Sequence, residues 1–279
     1  MNRWQIGDVK ITRVVESEDA FDMAMLLPDA TPENIRKEEW LRPNFADDKG
    51  AAKLSIHAYA IESGGRKIII DTCVGNDKRR EGFDTMHMMH TSFITDLAQA
   101  GFARESVNLV LCTHLHLDHV GWNTMLQGDR WVPTFPNARY LIGRKEWEHW
   151  GPSKDPAIGD SVRPVFDAGL VDLVDTDYRI NDAIWLEPTV GHTPGHVSVR
   201  ISSKGEEAVI TGDLMHHPIQ LGHPDWKCTF DTDWQQGCKT RREFMERYAD
   251  KPILVFGTHF ANPSAGHIVK HNGAFRFRI

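Results

Sequence analysis

The sequence lacks any run of the ~20 uninterrupted apolar residues that a membrane helix needs, so no membrane span is expected. It lacks a CxxC pair: Cys73, Cys112, Cys228 and Cys238 stand apart. The opening residues, MNRWQIGDVK, hold no apolar stretch of the kind a secretory leader carries. A cytoplasmic location with reduced thiols is therefore the expectation. Repeats, low-complexity tracts and long linkers are absent too. Positive charge is in deficit, with 32 Lys and Arg against 39 Asp and Glu, a net charge of −7. That balance argues against a nucleic-acid surface. No GxSxG elbow offers a serine nucleophile. Apolar residues are not scarce: 41% hydrophobic against 25% charged excludes disorder over most of the chain. A length of 279 residues allows one large domain or two small ones, and we read residues 1–279 as one. The 15 His and 9 Trp point to a site as well as a core.

Apolar patterning predicts strands first, then strands alternating with helices. Val9–Val15 reads as a strand, and Leu54–Glu62 with Lys67–Asp71 as a hairpin turning at Ser63-Gly64-Gly65. Thr91–Ala100 reads as an amphipathic helix closed by Gly101. Val107–Thr113 is a near-continuous apolar run, as in a strand covered on both faces. Further strands are predicted at 139–142, 170–175, 184–187, 197–202, 207–211, 252–257 and 273–279. Helices are predicted around Arg144–Trp150 and over Thr232–Tyr248. The fold class is α/β, with two sheets packed together and helices outside. Segments 17–50 and 73–90 show no period and read as functional loops.

The chemistry concentrates after the buried strands. Thr113-His114-Leu115-His116-Leu117-Asp118-His119 puts four metal-competent side chains within six residues. His114 and His116 share one side of an extended backbone, and Asp118 and His119 follow where the chain turns. Imidazole with carboxylate suits zinc, and also manganese, iron or cobalt. In Gly191-His192-Thr193-Pro194-Gly195-His196 a rigid turn ends on His196, which we expect as the ligand, with His192 stabilising the loop. Thr211-Gly212-Asp213 and Gly257-Thr258-His259 end two more apolar strands.

This series, HxHxDH, GHTPGH, TGD and a strand-end His in that order, resembles the metallo-β-lactamase superfamily of dinuclear metal hydrolases. The resemblance runs from the 54–71 hairpin to the C-terminus. It implies an αβ/βα sandwich of two mixed sheets with external helices. It implies one metal on His114, His116 and His196, a second on Asp118, His119 and His259, and Asp213 bridging them. Asp71 matches the family's strand-end aspartate and is expected to orient a ligand. Asp213 stands where common zinc β-lactamases carry Cys, which disfavours antibiotic hydrolysis. No glutathione-binding helical region or flavin domain is evident. The chain is most similar to N-acyl homoserine lactonases, pyridoxolactonases and methyl parathion hydrolase. Many of those lactonases have a Tyr three residues after the bridging Asp. Here His216 takes that place, and it is expected to point into the pocket and assist, as a group that titrates near neutrality.

The implied cofactors are two divalent metal ions per chain, zinc first and Mn2+, Co2+ or Fe2+ otherwise. With Asp118, Asp213 and a bridging hydroxide the centre carries about +1, enough to favour a developing oxyanion. The implied reaction is opening of a lactone or cleavage of a related ester. A phosphotriesterase activity and a metal-free scaffold are the alternatives. The partner is a small-molecule lactone or ester, with a homodimer expected and neither nucleic acid nor membrane. Phe21, Met23, Met25, Leu26, Leu27, Phe83, Met86, Met88, Met89 and Trp122 are candidates for an apolar pocket wall, for core or for a dimer face. Trp147, Trp150, Cys73 and Cys112 read as packing.

Overall fold

In chain order the strands are β1 (Arg3–Ile6), β2 (Val9–Phe21), β3 (Ala52–Ser63), β4 (Arg66–Ile70), β5 (Leu109–Leu111), β6 (Thr124–Gln127), β7 (Arg130–Pro133), β8 (Arg139–Gly143), β9 (Val171–Val174), β10 (Ile184–Pro188), β11 (Val197–Ser203), β12 (Glu206–Ile210), β13 (Ile253–Phe256), β14 (Ala265–His271) and β15 (Ala274–Arg278). They come from a computed structural model that describes every residue except 22, and the side chain of Phe21 also lies outside the description. Two mixed sheets form, in the orders β1-β2-β3-β4-β5-β8-β9 and β10-β11-β12-β13-β14-β15, with β6 and β7 a separate hairpin. The sandwich of two mixed sheets is as expected. β4, β5, β8 and β9 run parallel, as do β12 and β13, while the other pairs are antiparallel.

Strand alternation explains the layers. Ile68, Ile70, Leu109 and Leu111 face a core shared with Val199, Ile201, Ala208 and Ile210 of the second sheet. Ile69 and Val110, one residue out of step, join Phe93 and Leu97 of the helix Phe93–Gln99 on the outer face. Val209 and Val255 pack outward against Phe244, Met245 and Tyr248 of the helix Trp234–Tyr248. Both faces of each central strand are therefore apolar, which is why their sequence reads as continuous runs. Gly64 and Gly65, with φ of +57° and +76°, supply the hairpin turn between β3 and β4. No helix among the described residues is long and apolar enough to cross a membrane.

Some features depart from the sequence reading. β2 runs past Val15 to Phe21 through a register shift between Val15 and Ser17. The hairpin β6–β7, strand β14 and the bent helical stretch 158–167 were not foreseen. Segment 23–50 contains the short helices Met23–Leu26 and Pro32–Lys37, whereas 73–90 has turns only.

Candidate metal centre

Parallel strands end on the same rim, so β4 and β5 deliver their following residues side by side, as do β12 and β13. Asp71 follows β4. Thr113–His116 follow β5 and lead into the short helix Leu117–Val120, which carries Asp118 and His119. The β10–β11 turn supplies His192 and His196, the single turn after β12 supplies Asp213, and the loop after β13 supplies His259.

Asp213 is the hub. Its Oδ2 lies 3.2 Å from Nε2 of His119 and of His216, 3.6 Å from His192 Nε2 and 3.7 Å from His114 Nε2. Its Oδ1 lies 3.2 Å from His259 Nε2. His259 Nε2 is 3.4 Å from Asp118 Oδ2, and His119 Nε2 is 3.2 Å from His259 Nε2. His116 Nδ1 and His192 Nε2 face each other at 2.9 Å. Donor atoms thus gather in two adjoining sets, His114, His116, His192 and Asp213, and Asp118, His119 and His259. His116 and Asp118 are half-buried and the other members buried.

His196, the expected ligand, lies outside the two donor sets. Its Nε2 accepts the Asp213 N–H at 2.8 Å, and its Nδ1 is held by the Thr189 hydroxyl and carbonyl at 2.9 Å. Both ring nitrogens of His196 are thus engaged, as are both of His192, by Asp231 at Nδ1 and by His116 at Nε2. His192, expected to stabilise the loop, takes the place in the donor set. The two histidines are four residues apart on one rigid turn, and spacing alone does not say which one faces inward. Gly212 is required here: its φ is +57°, and a Cβ would come within 2.6 Å of His196 Nε2.

The remaining expectations sort by geometry. Asp71 accepts from Thr113 N and Oγ1 at 2.7 and 2.9 Å and meets His119 Nδ1 at 2.9 Å. It therefore orients His119 and lies in neither donor set. His216 points at Asp213, whereas His217 turns away, its Nε2 on the Phe45 carbonyl at 2.8 Å. Trp122 is core, stacked on Phe93, with its N–H on Glu16 Oε1 at 2.6 Å. Met23, Leu26 and Leu27 are buried core, and Met86 and Met89 pack partly buried against the separate cluster that holds Phe93 and Trp122. Met25 and Met88 are exposed, and Phe83 meets the exposed Phe230 at 6.0 Å between ring centroids. Trp147 stacks on Phe166, and the Trp150 ring meets the edge of His116.

Sequence reading missed the supports. Asp231 Oδ1 bonds His192 Nδ1 at 2.8 Å, and the buried Arg241 lies 3.8 Å behind its other oxygen. Arg241 donates to the carbonyls of Leu214, Pro224 and Trp226. Glu146 clamps two site loops, accepting the N–H of Gly195 at 2.7 Å and of Leu115 at 3.2 Å. No spacing marks such residues, because each acts across 10 to 50 positions of chain.

Burial pushes the imidazoles of His114 and His192 well below the ordinary histidine value, and His116 down to about 4. These rings are neutral at pH 7, with a lone pair to give. Burial opposes charge on His119 as well, but Asp213, Asp118 and Asp71 outweigh it and raise its pKa. For Asp213 burial favours the neutral acid, and the surrounding histidines, His119 first, overcome that and hold it ionised. The donor set fits divalent cations. Buried nitrogens and carboxylate oxygens converge, and His114 Nε2 has no hydrogen-bond partner among the described residues.

Residues 52–253 match the family described as the Metallo-beta-lactamase superfamily. An N-acyl homoserine lactonase of Bacillus cereus is 24% identical over 217 residues, covering 73% of this chain and 81% of the relative. Another, from Bacillus sp, is 25% identical over 163 residues, covering 58% and 59%. Among solved structures, AidC, a dizinc quorum-quenching lactonase in complex with a product, superposes with a TM-score of 0.81 at 19% identity, covering 99% of this chain and 96% of that one. The hydrolase AbOPH of the beta lactamase superfamily also gives 0.81, at 24% identity, covering 99% and 95%.

Proposed function

The chain belongs to the metallo-beta-lactamase superfamily, and from that premise we propose that it is a metal-dependent hydrolase that opens lactones. The observation that carries this is the Asp213 carboxylate, met by five imidazoles from four stretches of chain. His114, His116 and His192 would hold one divalent cation, Asp118, His119 and His259 a second, and Asp213 would lie between them. Zinc suits this set of nitrogen and oxygen donors, and manganese, cobalt and iron are the other candidates. When bound, such ions acidify water and polarise a carbonyl or leaving oxygen.

The chain's own residues do the rest. Asp71, Asp231 and Thr113 fix the rings of His119, His192 and His114 through the nitrogens turned away from the centre. His216, beside Asp213, is the group to donate a hydrogen bond to a substrate oxygen. Phe83 meets Phe230, which precedes the Asp231 that bonds His192, and this pair is the apolar contact we assign to an acyl group. The named lactonase relatives support a lactone as substrate.

A panel of homoserine lactones, aryl esters, phosphotriesters and β-lactams, run on zinc, manganese and cobalt forms, tests the proposal. Lactones should turn over fastest. Faster turnover of phosphotriesters would replace the substrate class, and a chain that binds no metal would remove the enzyme. His216→Ala should lower kcat with full metal content; an unchanged rate removes its role.

A further inference from the structure

The two donor sets do not use up the metal-competent groups of this rim. Cys228 lies between the short helix Ile219–Gly222 and the helix Trp234–Tyr248. It is fully buried and forms no disulfide. Its Sγ is 3.9 Å from His216 Nε2. Donor atoms of His192, His216 and Cys228 all lie within 4.8 Å of one another, and all three residues are buried. His216, only 3% exposed, also has a second nitrogen, Nδ1, with no hydrogen-bond partner among the described residues. A buried imidazole whose Nε2 faces both Asp213 and a thiol and whose Nδ1 is unpartnered is costly unless something binds there.

This third set differs in kind from the other two, which hold only nitrogen and oxygen. Thiolate is a soft donor and selects thiophilic ions such as zinc and cadmium over magnesium, calcium or manganese. We propose that His192, His216 and Cys228 form a sulfur-bearing cation position on the wall of the centre, taking a thiophilic divalent ion. The inference rests on the reading above, because His192 belongs to both this set and the set around His114. Coordination breaks the Cys228 S–H bond heterolytically: sulfur keeps the pair and gives it to the ion, and the proton leaves to solvent. Nothing is oxidised or reduced. One imidazole cannot serve both sets with the same nitrogen, so an excess of thiophilic ion competes with the working centre and inhibits it. Manganese does not.

Cobalt titrated into the metal-stripped protein tests this by absorbance. Visible d–d bands report any cobalt site, and a near-ultraviolet thiolate-to-cobalt charge-transfer band reports sulfur. The unsubstituted protein should show both. Cys228→Ser should lose the charge-transfer band and keep the d–d bands, whereas Cys73→Ser should keep both. A charge-transfer band that is absent from the unsubstituted protein, or that survives Cys228→Ser, overturns the sulfur-bearing position. In the first case d–d bands without it leave the nitrogen–oxygen centre standing. No cobalt uptake at all overturns both readings. Should Cys228→Ser fail to fold, zinc K-edge X-ray absorption on the unsubstituted protein with zinc in excess decides. A Zn–S shell at about 2.3 Å is expected, and its absence sinks the proposal.

Discussion

His192 and His196 differ in what their Nε2 atoms face, and on that difference we propose His192 as the ligand and His196 as the brace. His192 Nε2 faces His116 and Asp213, whereas His196 Nε2 accepts a backbone N–H. His192→Ala should cut bound metal per chain and lower turnover by more than the roughly 10–100-fold seen for partners of ligands. His196→Ala should keep metal binding but leave the buried Asp213 N–H and Thr189 hydroxyl unpaired, costing about 1–3 kcal/mol. Metal analysis and urea unfolding on both variants check the assignment, and metal loss confined to His196→Ala reverses it. Asp71 acts one bond further out. Asp71→Asn keeps the shape but removes the charge that holds His119 Nδ1–H, and should weaken metal affinity by roughly 10–100-fold. Competition with a chromogenic chelator measures it.

Loops around the centre are tied down by buried charge. Glu16 sits at the β2 register shift, and such an irregularity re-aims a side chain. Its carboxylate accepts the N–H groups of Val74 and Gly75 at 2.7 and 3.1 Å, anchoring the start of 73–90. Further along, the fully buried Lys78 donates to Thr124 Oγ1 at 2.6 Å and to the Asp160 carbonyl at 3.1 Å, over the Trp131 ring. Burial, helped by Arg80, pulls its pKa down to about 7. Below pH 7 both folded and unfolded chains hold this proton, and the cost of burying the charge is fully present. Between about pH 7 and 10 only the unfolded chain still binds it, so stability rises with pH, by at most about 1.4 kcal/mol per unit. Lys78→Met should lack this rise, as thermal unfolding from pH 7 to 10 would show. Parallel pH profiles for the two proteins would refute it.

At the scale of the whole molecule, what the sequence made legible is what depends on neighbours in the chain. The near-continuous apolar run at 107–113 predicted a strand covered on both faces, and HxHxDH marked the β5 rim because its donors are local. Glu146, Asp231 and Arg241 were invisible, since their roles arise only when distant loops meet. So was the placement of His192 within a donor set and of His196 outside it, with its Nε2 on the Asp213 N–H. The same topology gives the centre a mechanical role. His114, His116, Asp118 and His119 hang from the first sheet, and His192, Asp213 and His259 from the second. A cation held by both sets would staple the sheets together and would bind the folded chain alone. Such binding stabilises by about 4 kcal/mol when free ion exceeds its dissociation constant 1,000-fold. At roughly 2–4 °C per kcal/mol for chains of this size, chelation should lower Tm by about 10 °C, and Tm should climb with the logarithm of free zinc. Asp213→Asn should flatten that climb, because it weakens the group that both cation positions share. A Tm indifferent to chelator and to zinc in the unsubstituted protein would mean that the two sheets meet without a metal between them.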